Sequence, residues 1–340
     1  MTRRFFSKLL LVVVAVFGLL VLSSMLSAQG RSQDAFERVK EVQEKHTDRL
    51  MAIEGVEGTA VGVDDSDRPA VKVFLENPGV RGIPRELDGV PVHPVVTGKF
   101  YALKPPDRAS ANPPAWWPSP VPIGVSTGHP RITAGTIGCR VKDALGKVYA
   151  LSNNHVYANE NRAKIGDIVL QPGTYDGGML SNPEHHIGML AGFEPIVFSR
   201  KGSNIIDAAI ALNSPPQRQL GNTTPSGGYG TPKSTRAAAY VGQAVQKYGR
   251  TTGLTTGYVD AINATVNVQY SRGIALFVKQ IIIKPGGFSA GGDSGSLVVV
   301  NGGEHDRKAV GLLFAGSSTL TVANPIDAVL TRFGVTIDGQ

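Results

Sequence analysis

Ser289-Ala290-Gly291-Gly292-Asp293-Ser294-Gly295-Ser296-Leu297-Val298-Val299-Val300 is a glycine-rich turn that runs directly into an apolar β-type segment. Glycines on both sides of a serine let the backbone bend sharply and bring its N–H groups close to a bound carbonyl, and the strand behind holds the turn still. A nucleophilic serine needs this setting: an exposed hydroxyl beside preorganised donors for the oxyanion that forms on attack. Gly-Asp-Ser-Gly also occurs in ordinary loops, so the rest of the chain must supply a base and an orienting acid.

The surroundings of that turn set the fold class. From residue 121 onward, short apolar runs alternate with Gly, Asn and Pro: Thr133–Val141, Val148–Ser152, Ile168–Gln171, His186–Glu194, Ile205–Leu212, Gly242–Tyr248, Thr256–Ala261, Thr265–Tyr270, Phe277–Ile283, Ser296–Val300, Ala309–Phe314 and Leu320–Ala323. Twelve short strands without intervening helices predict a mainly β architecture, a barrel or a sandwich. The polar stretch from Asn213 to Lys233 puts five of them before it and seven after. At the end of the chain Asn324 reads as a cap, Pro325 as the first turn, and Ile326, Val329, Leu330 and Phe333 as a stripe closed by Gly334. That predicts a short helix over 324–333.

Among seven histidines, only His155 follows a strand and sits in a polar turn, Ser152-Asn153-Asn154-His155. The end of a strand places a base rigidly while leaving a ring nitrogen open. His185 and His186 are adjacent, so a strand would point them to opposite faces, and they read as surface or packing residues with no metal between them. For the acid, Asp207 stands alone inside Ile205-Ile206-Asp207-Ala208-Ala209-Ile210. A carboxylate there is costly unless an imidazole N–H or a structural donor pairs with it. Asp260 competes from a less apolar neighbourhood.

In the order His155, Asp207, Ser294, the chain resembles the trypsin-like (chymotrypsin-fold) serine peptidases, and most closely their bacterial secreted members. The segments that carry the resemblance are Leu151–Val156, Asp207–Ile210, Gly291–Ser296, Val310–Ser317 and the hairpin Gly249-Arg250-Thr251-Thr252-Gly253. The resemblance implies two six-stranded antiparallel β-barrels, about 121–212 and 234–323, with the site in the cleft between them. It implies Ser294 as nucleophile, His155 as general base and then acid, Asp207 as its orienting partner, and the N–H groups of Gly292 and Ser294 as the oxyanion hole. Phe288 would form the floor of the primary pocket with Gly316 on its wall, suiting apolar or small side chains, and Phe314, Ala315 and Gly316 would pair with substrate backbone. The implied partner is a polypeptide, and neither a cofactor nor a metal is called for. Two departures stand: Ser296 replaces a second glycine, and no Ile-Val-Gly-Gly start is present to pair with Asp293. Either a cut near Trp116–Gly124 supplies a partner for Asp293, or an internal group does. The rival function is a catalytically silent protein-binding module on the same fold.

The chain has 340 residues, 41% hydrophobic and 18% charged, which reads as globular and leaves room for more than one domain. Arg3, Arg4 and Lys8 precede the apolar run Leu9–Leu22 and a small-residue end, Ser27-Ala28-Gln29-Gly30. Residues 1–30 are therefore expected to be a signal peptide, or, if retained, a membrane anchor, with the bulk outside the cytoplasm. The net charge of +7, lowered by three without that segment, is a solubility property and excludes a nucleic-acid footprint. The single Cys139 cannot form an internal disulfide and reads as a small buried hydrophobe. Phe36, Val39, Val42, His46, Leu50 and Ile53 recur at helical spacing over 31–53, and strand patterns follow at Val56–Val63, Ala70–Leu75 and Val90–Val96, with a short helix expected at Ile83–Leu87. These make 31–104 a small α+β domain, a prosegment or an accessory, joined through the Pro-rich linker 105–120 to the domain 121–340. The Trp116-Trp117 pair is expected to pin that linker.

Overall fold

The structure, a computed structural model, describes residues 33–103, 116–216 and 218–340; the signal-like segment and most of the Pro-rich linker lie outside them. Helix α1 (33–51) buries Val39, Val42 and Leu50 along one stripe. Strands β1 (Val56–Val63), β2 (Pro69–Leu75), β3 (Glu86–Leu87) and β4 (Val90–Val96) follow, with β2 and β4 parallel and β3 and β4 antiparallel. The helix expected over Ile83–Leu87 is not formed. Pro84 removes a donor there, and Asp88 and Gly89 take positive φ (46° and 81°), the two-residue turn that closes a hairpin between β3 and β4. Strand β5 (Phe100–Ala102) ends this part.

The described chain resumes at Trp116. Strands β6 (Ser126–Thr127) and β7 (Gly135–Thr136) pair with each other. Then come β8 (Cys139–Asp143), β9 (Val148–Ser152), the one-turn helix α2 (Asn154–Tyr157), β10 (Ile168–Leu170), β11 (His186–Phe193) and β12 (Ala209–Asn213). The later half holds β13 (Ala244–Gly249), β14 (Gly253–Tyr270), β15 (Gly273–Lys284), β16 (Leu297–Val300), β17 (Ala309–Gly316), β18 (Thr321–Pro325), α3 (Ile326–Phe333) and β19 (Val335–Ile337). The protein is mainly β. Two expected strands, Thr256–Ala261 and Thr265–Tyr270, are one long β14, because register shifts and a positive φ at Asn263 (51°) absorb the polar interruption without breaking it.

In the earlier half β10, β11, β12, β9, β8 and β19 form a six-stranded sheet in that order. Its last member comes from the far end of the chain, a three-residue strand too short to have a sequence pattern. In the later half β13, β16, β17, β18, β15 and β14 pair in succession, and β14 pairs back to β13, closing a ring. That ring does not end there: β14 also pairs with β1, so β1, β2, β4 and β3 continue its sheet. The first core cluster gathers Val141, Leu151, Ile187, Leu190 and Leu312. Others lie around Phe277 and Phe314, beneath α1, and around Phe288. Cys139 is fully buried in the first core, where burial pushes its thiol up to about 12. Helix α3 is capped at Gly334, which has positive φ (62°), but its N-terminus begins at Ile326 with Pro325 as the cap residue. Asn324 is not the cap, because its amide is committed elsewhere: it accepts from the Asp207 N–H and donates to Gln280. Trp117 packs against the first core, and the Arg218 guanidinium lies 5.1 Å over the Trp116 ring.

Candidate active site

Strand β9 ends at Ser152 and α2 begins two residues later, so His155 is carried on a rigid corner. Asp207 lies just before β12, whose first residue pairs with Ser152 across the sheet. This register puts the two side chains together: His155 Nδ1 is 2.6 Å from Asp207 Oδ2, and the His155 N–H donates to Asp207 Oδ1 at 3.2 Å. The Asp207 backbone is clamped from both sides, its N–H by Asn324 (3.0 Å) and its carbonyl by the Asn153 amide (2.7 Å). The carboxylate is fully buried, which its donors make tolerable. His155 Nε2 is buried and has no hydrogen-bond partner among the described residues.

Ser294 sits on the turn before β16. Gly292 and Gly295 have φ of 98° and 96°, values that favour glycine. A Cβ on Gly295 would lie 2.2 Å from the Thr136 carbonyl oxygen, so no other residue fits against the first half there. Asp293, fully buried, has its partners inside the chain. It accepts from the N–H groups of Thr251 (2.8 Å), Thr252 (3.2 Å) and Ala290 (2.9 Å) and from the Thr252 hydroxyl (2.7 Å). The buried Lys247 ammonium stands 3.5 Å away. Burial pushes that ammonium below its ordinary range, and the Asp293 carboxylate pulls it back up. The hairpin Gly249–Gly253 thus holds the serine turn. Arg250 instead reaches Asp176 (2.8 Å), and the Ser296 hydroxyl donates to the Asp293 carbonyl (2.6 Å).

The cleft is not empty. Strand β5 enters it, pairing antiparallel with β17 (Ala102 with Ala315, Tyr101 with Gly316) and parallel with the end of β14. One residue further on, the Leu103 N–H donates to the Phe314 carbonyl (3.3 Å), and the Leu103 carbonyl accepts from the Gly292 N–H (3.3 Å) and the Ser294 hydroxyl (3.1 Å). That hydroxyl also lies 3.1 Å from the Phe314 carbonyl. No hydrogen bond joins it to His155. The Leu103 side chain packs with the cluster around Phe288 and lies where a Cβ on Gly316 would approach it at 3.5 Å. A further cavity of about 220 Å³ adjoins Leu103 and is lined by His155, Arg131, Glu160, Arg162 and Ser271.

Of the other residues considered from sequence, Asp260 is fixed by Lys72 (2.8 Å) and Lys284 (3.2 Å), away from any histidine. His46 bonds Asp88 (2.9 Å), and His186 bonds the Leu180 carbonyl (2.9 Å). Sequence reasoning missed Tyr270, whose hydroxyl donates to Asp207 Oδ2 at 2.8 Å, and it missed Leu103. A hydroxyl at the end of an apolar strand looks like core packing. A leucine before a Pro-rich linker looks like the end of a domain.

The chain is similar to trypsin-like bacterial serine peptidases. It is 38% identical over 108 residues to serine protease 1 of Streptomyces fradiae and 36% identical over 111 residues to glutamyl endopeptidase 2 of Streptomyces griseus. The matched segments are about 30% of this chain and span 27% and 52% of those proteins. A family model described as the Nal1 C-terminal domain matches residues 233–323. Among solved structures, protease A of Thermobifida fusca matches 65% of this chain and 99% of its own at 19% identity, with a TM-score of 0.45.

Proposed function

We propose that the chain is an exported serine endopeptidase, held latent by its own residues 33–103. Ser294 attacks the scissile carbonyl, His155 takes the proton at Nε2 and returns it to the leaving amine, and Asp207 keeps Nδ1 protonated and stabilises the imidazolium. The acyl-enzyme is then hydrolysed by water activated at the same imidazole. Gly292 and Ser294 donate their N–H groups to the oxyanion, a service worth about 3 kcal/mol per donor. The reading rests above all on the Leu103 carbonyl, which is bonded to both the Ser294 hydroxyl and the Gly292 N–H and so stands where a substrate carbonyl would. With Leu103 withdrawn, the hydroxyl loses one of its two carbonyl partners, keeps that of Phe314, and can turn to the unpartnered Nε2.

The same contact sets the preference. The groups around the Leu103 side chain, Phe288 and Gly316, are uncharged, so an apolar residue such as leucine precedes the cleaved bond. The nearest cation, the Lys247 ammonium 5.9 Å from the Phe288 ring centroid, faces the Asp293 carboxylate, so this pocket is not read as built for a carboxylate, in contrast to what the name of the glutamyl relative states for that protein. Residues 1–30 are read as the export signal. No helix among the described residues is long and apolar enough to cross a membrane.

A fluorophosphonate probe tests the reading. The expected result is one added adduct on the parent and none on Ser294→Ala. A folded parent that stays unlabelled even after its first hundred residues are removed by an added protease would support the silent binding module instead.

A further inference from the structure

Strand β14 is eighteen residues long and carries its last residue, Tyr270, out of the ring in the later half and over the sheet of the earlier half. The tip beyond it is fastened there: the Ser271 N–H donates to Glu160 (3.2 Å), and Arg272 donates to the Glu160 carbonyl (2.9 Å) while stacking over Phe198. Tyr270 packs edge-on against Phe198 and against the His155 ring, with centroids 5.6 and 6.0 Å apart. Its hydroxyl meets Asp207 Oδ2, the same oxygen that holds His155 Nδ1. Burial and the neighbouring Asp207 carboxylate push the phenol well above its ordinary range, so it stays a donor wherever the enzyme works.

Building on the peptidase reading, we infer that Tyr270 is a positioning residue of the site, acting on His155 through Asp207. The carboxylate has three donors: the His155 N–H, the His155 ring and the Tyr270 hydroxyl. The hydroxyl fixes which lone pair of Oδ2 faces Nδ1, and it draws off part of the negative charge that would otherwise hold the imidazolium. A residue from the later half thereby sets the geometry and basicity of a pair built in the earlier half. The other charged groups near this pair are Glu160, beside Tyr270, and Arg131 and Arg162 on the cavity wall with His155; none of them bonds to the Asp207 carboxylate. The position also couples to latency, because β5 pairs with Val268 and Gln269 immediately before Tyr270.

Tyr270→Phe keeps the ring and removes only the hydroxyl. Losing one charge-assisted bond is expected to lower kcat/KM on a leucine peptide substrate about tenfold, mainly in kcat. The acidic limb of the pH profile should move to higher pH, because a carboxylate with one donor fewer holds the imidazolium more tightly. The same shift is expected in an NMR titration of the His155 ring with Ser294→Ala as background, compared with and without Tyr270→Phe. This arm reads the coupling even if the chain proves not to be a peptidase, a failure that the absence of Ser294-dependent turnover after removal of the first hundred residues would reveal separately. An unchanged His155 titration in Tyr270→Phe overturns the inference, whether or not activity falls.

Discussion

The half of the molecule that carries His155 and Asp207 and the half that carries Ser294 are built differently. The first is a sheet of six strands that ends on β10 and β19, with no partner from residues 33–103. The second is a closed ring whose β14 also accepts β1, so that four further strands extend its sheet and β5 lies between β14 and β17. Backbone pairing is the most directional tie a β protein has. The serine half is therefore tied to the first hundred residues in its hydrogen-bond ladder, while no strand of the histidine half's six-stranded sheet pairs with them.

This contrast can be broken most forcefully at the charges. Asp260 lies between Lys72 on β2, which is only 3% exposed, and Lys284 on β15. Asp260→Asn leaves the Lys72 ammonium buried without a counter-charge, and urea unfolding should show a loss of about 3–5 kcal/mol. Asp338, which bonds Arg140 and Lys142 at the more open end of the histidine half, is the control. Asp338→Asn should cost no more than about 1 kcal/mol. Equal losses would mean that the two halves are not held differently.

A smaller effect is expected where β5 meets the cleft. Leu103→Asp puts a charge among the apolar groups around Phe288 and should weaken docking of the segment by about 2 kcal/mol. Fluorophosphonate labelling of Ser294 would then be about 30-fold faster than in the parent. An unchanged labelling rate would mean that the segment does not control access.

The smallest effect concerns the packing of α1 on the hairpin. Asp88 accepts from Lys45 and His46, and those bonds hold its carboxyl at about 2, below its ordinary 3.8. A lowered folded value means stability that is fully present above pH 3.8 and lost as pH falls towards 2. Circular dichroism of Asp88→Asn should therefore match the parent at the acid end of that window and fall slightly below it at neutral pH.

How much of this was written in the sequence follows from the range of each interaction. The β class, the serine turn, His155 after a strand and Asp207 in an apolar run are all local patterns, and local patterns are legible. The helix expected at Ile83–Leu87 does not form because Asp88-Gly89 makes a hairpin turn whose partner strand lies beyond it. Asn324 reads as a cap from its neighbours alone, but its amide serves Asp207, 117 residues away in sequence. The sequence leaves the partner of Asp293 open because a lysine inside β13 reads as a solvent-facing residue, whereas Lys247 is fully buried. Tyr270 and Leu103 gain their roles only from what the fold places opposite them.

The most direct measurement is the intact mass of the purified chain over time. The account predicts that molecules whose segment has withdrawn cut their neighbours between Leu103 and Lys104, yielding a fragment that begins at Lys104, while Ser294→Ala stays whole. A cut at that bond that proceeds equally in Ser294→Ala, or a parent that remains intact while hydrolysing leucine peptides freely, would contradict it.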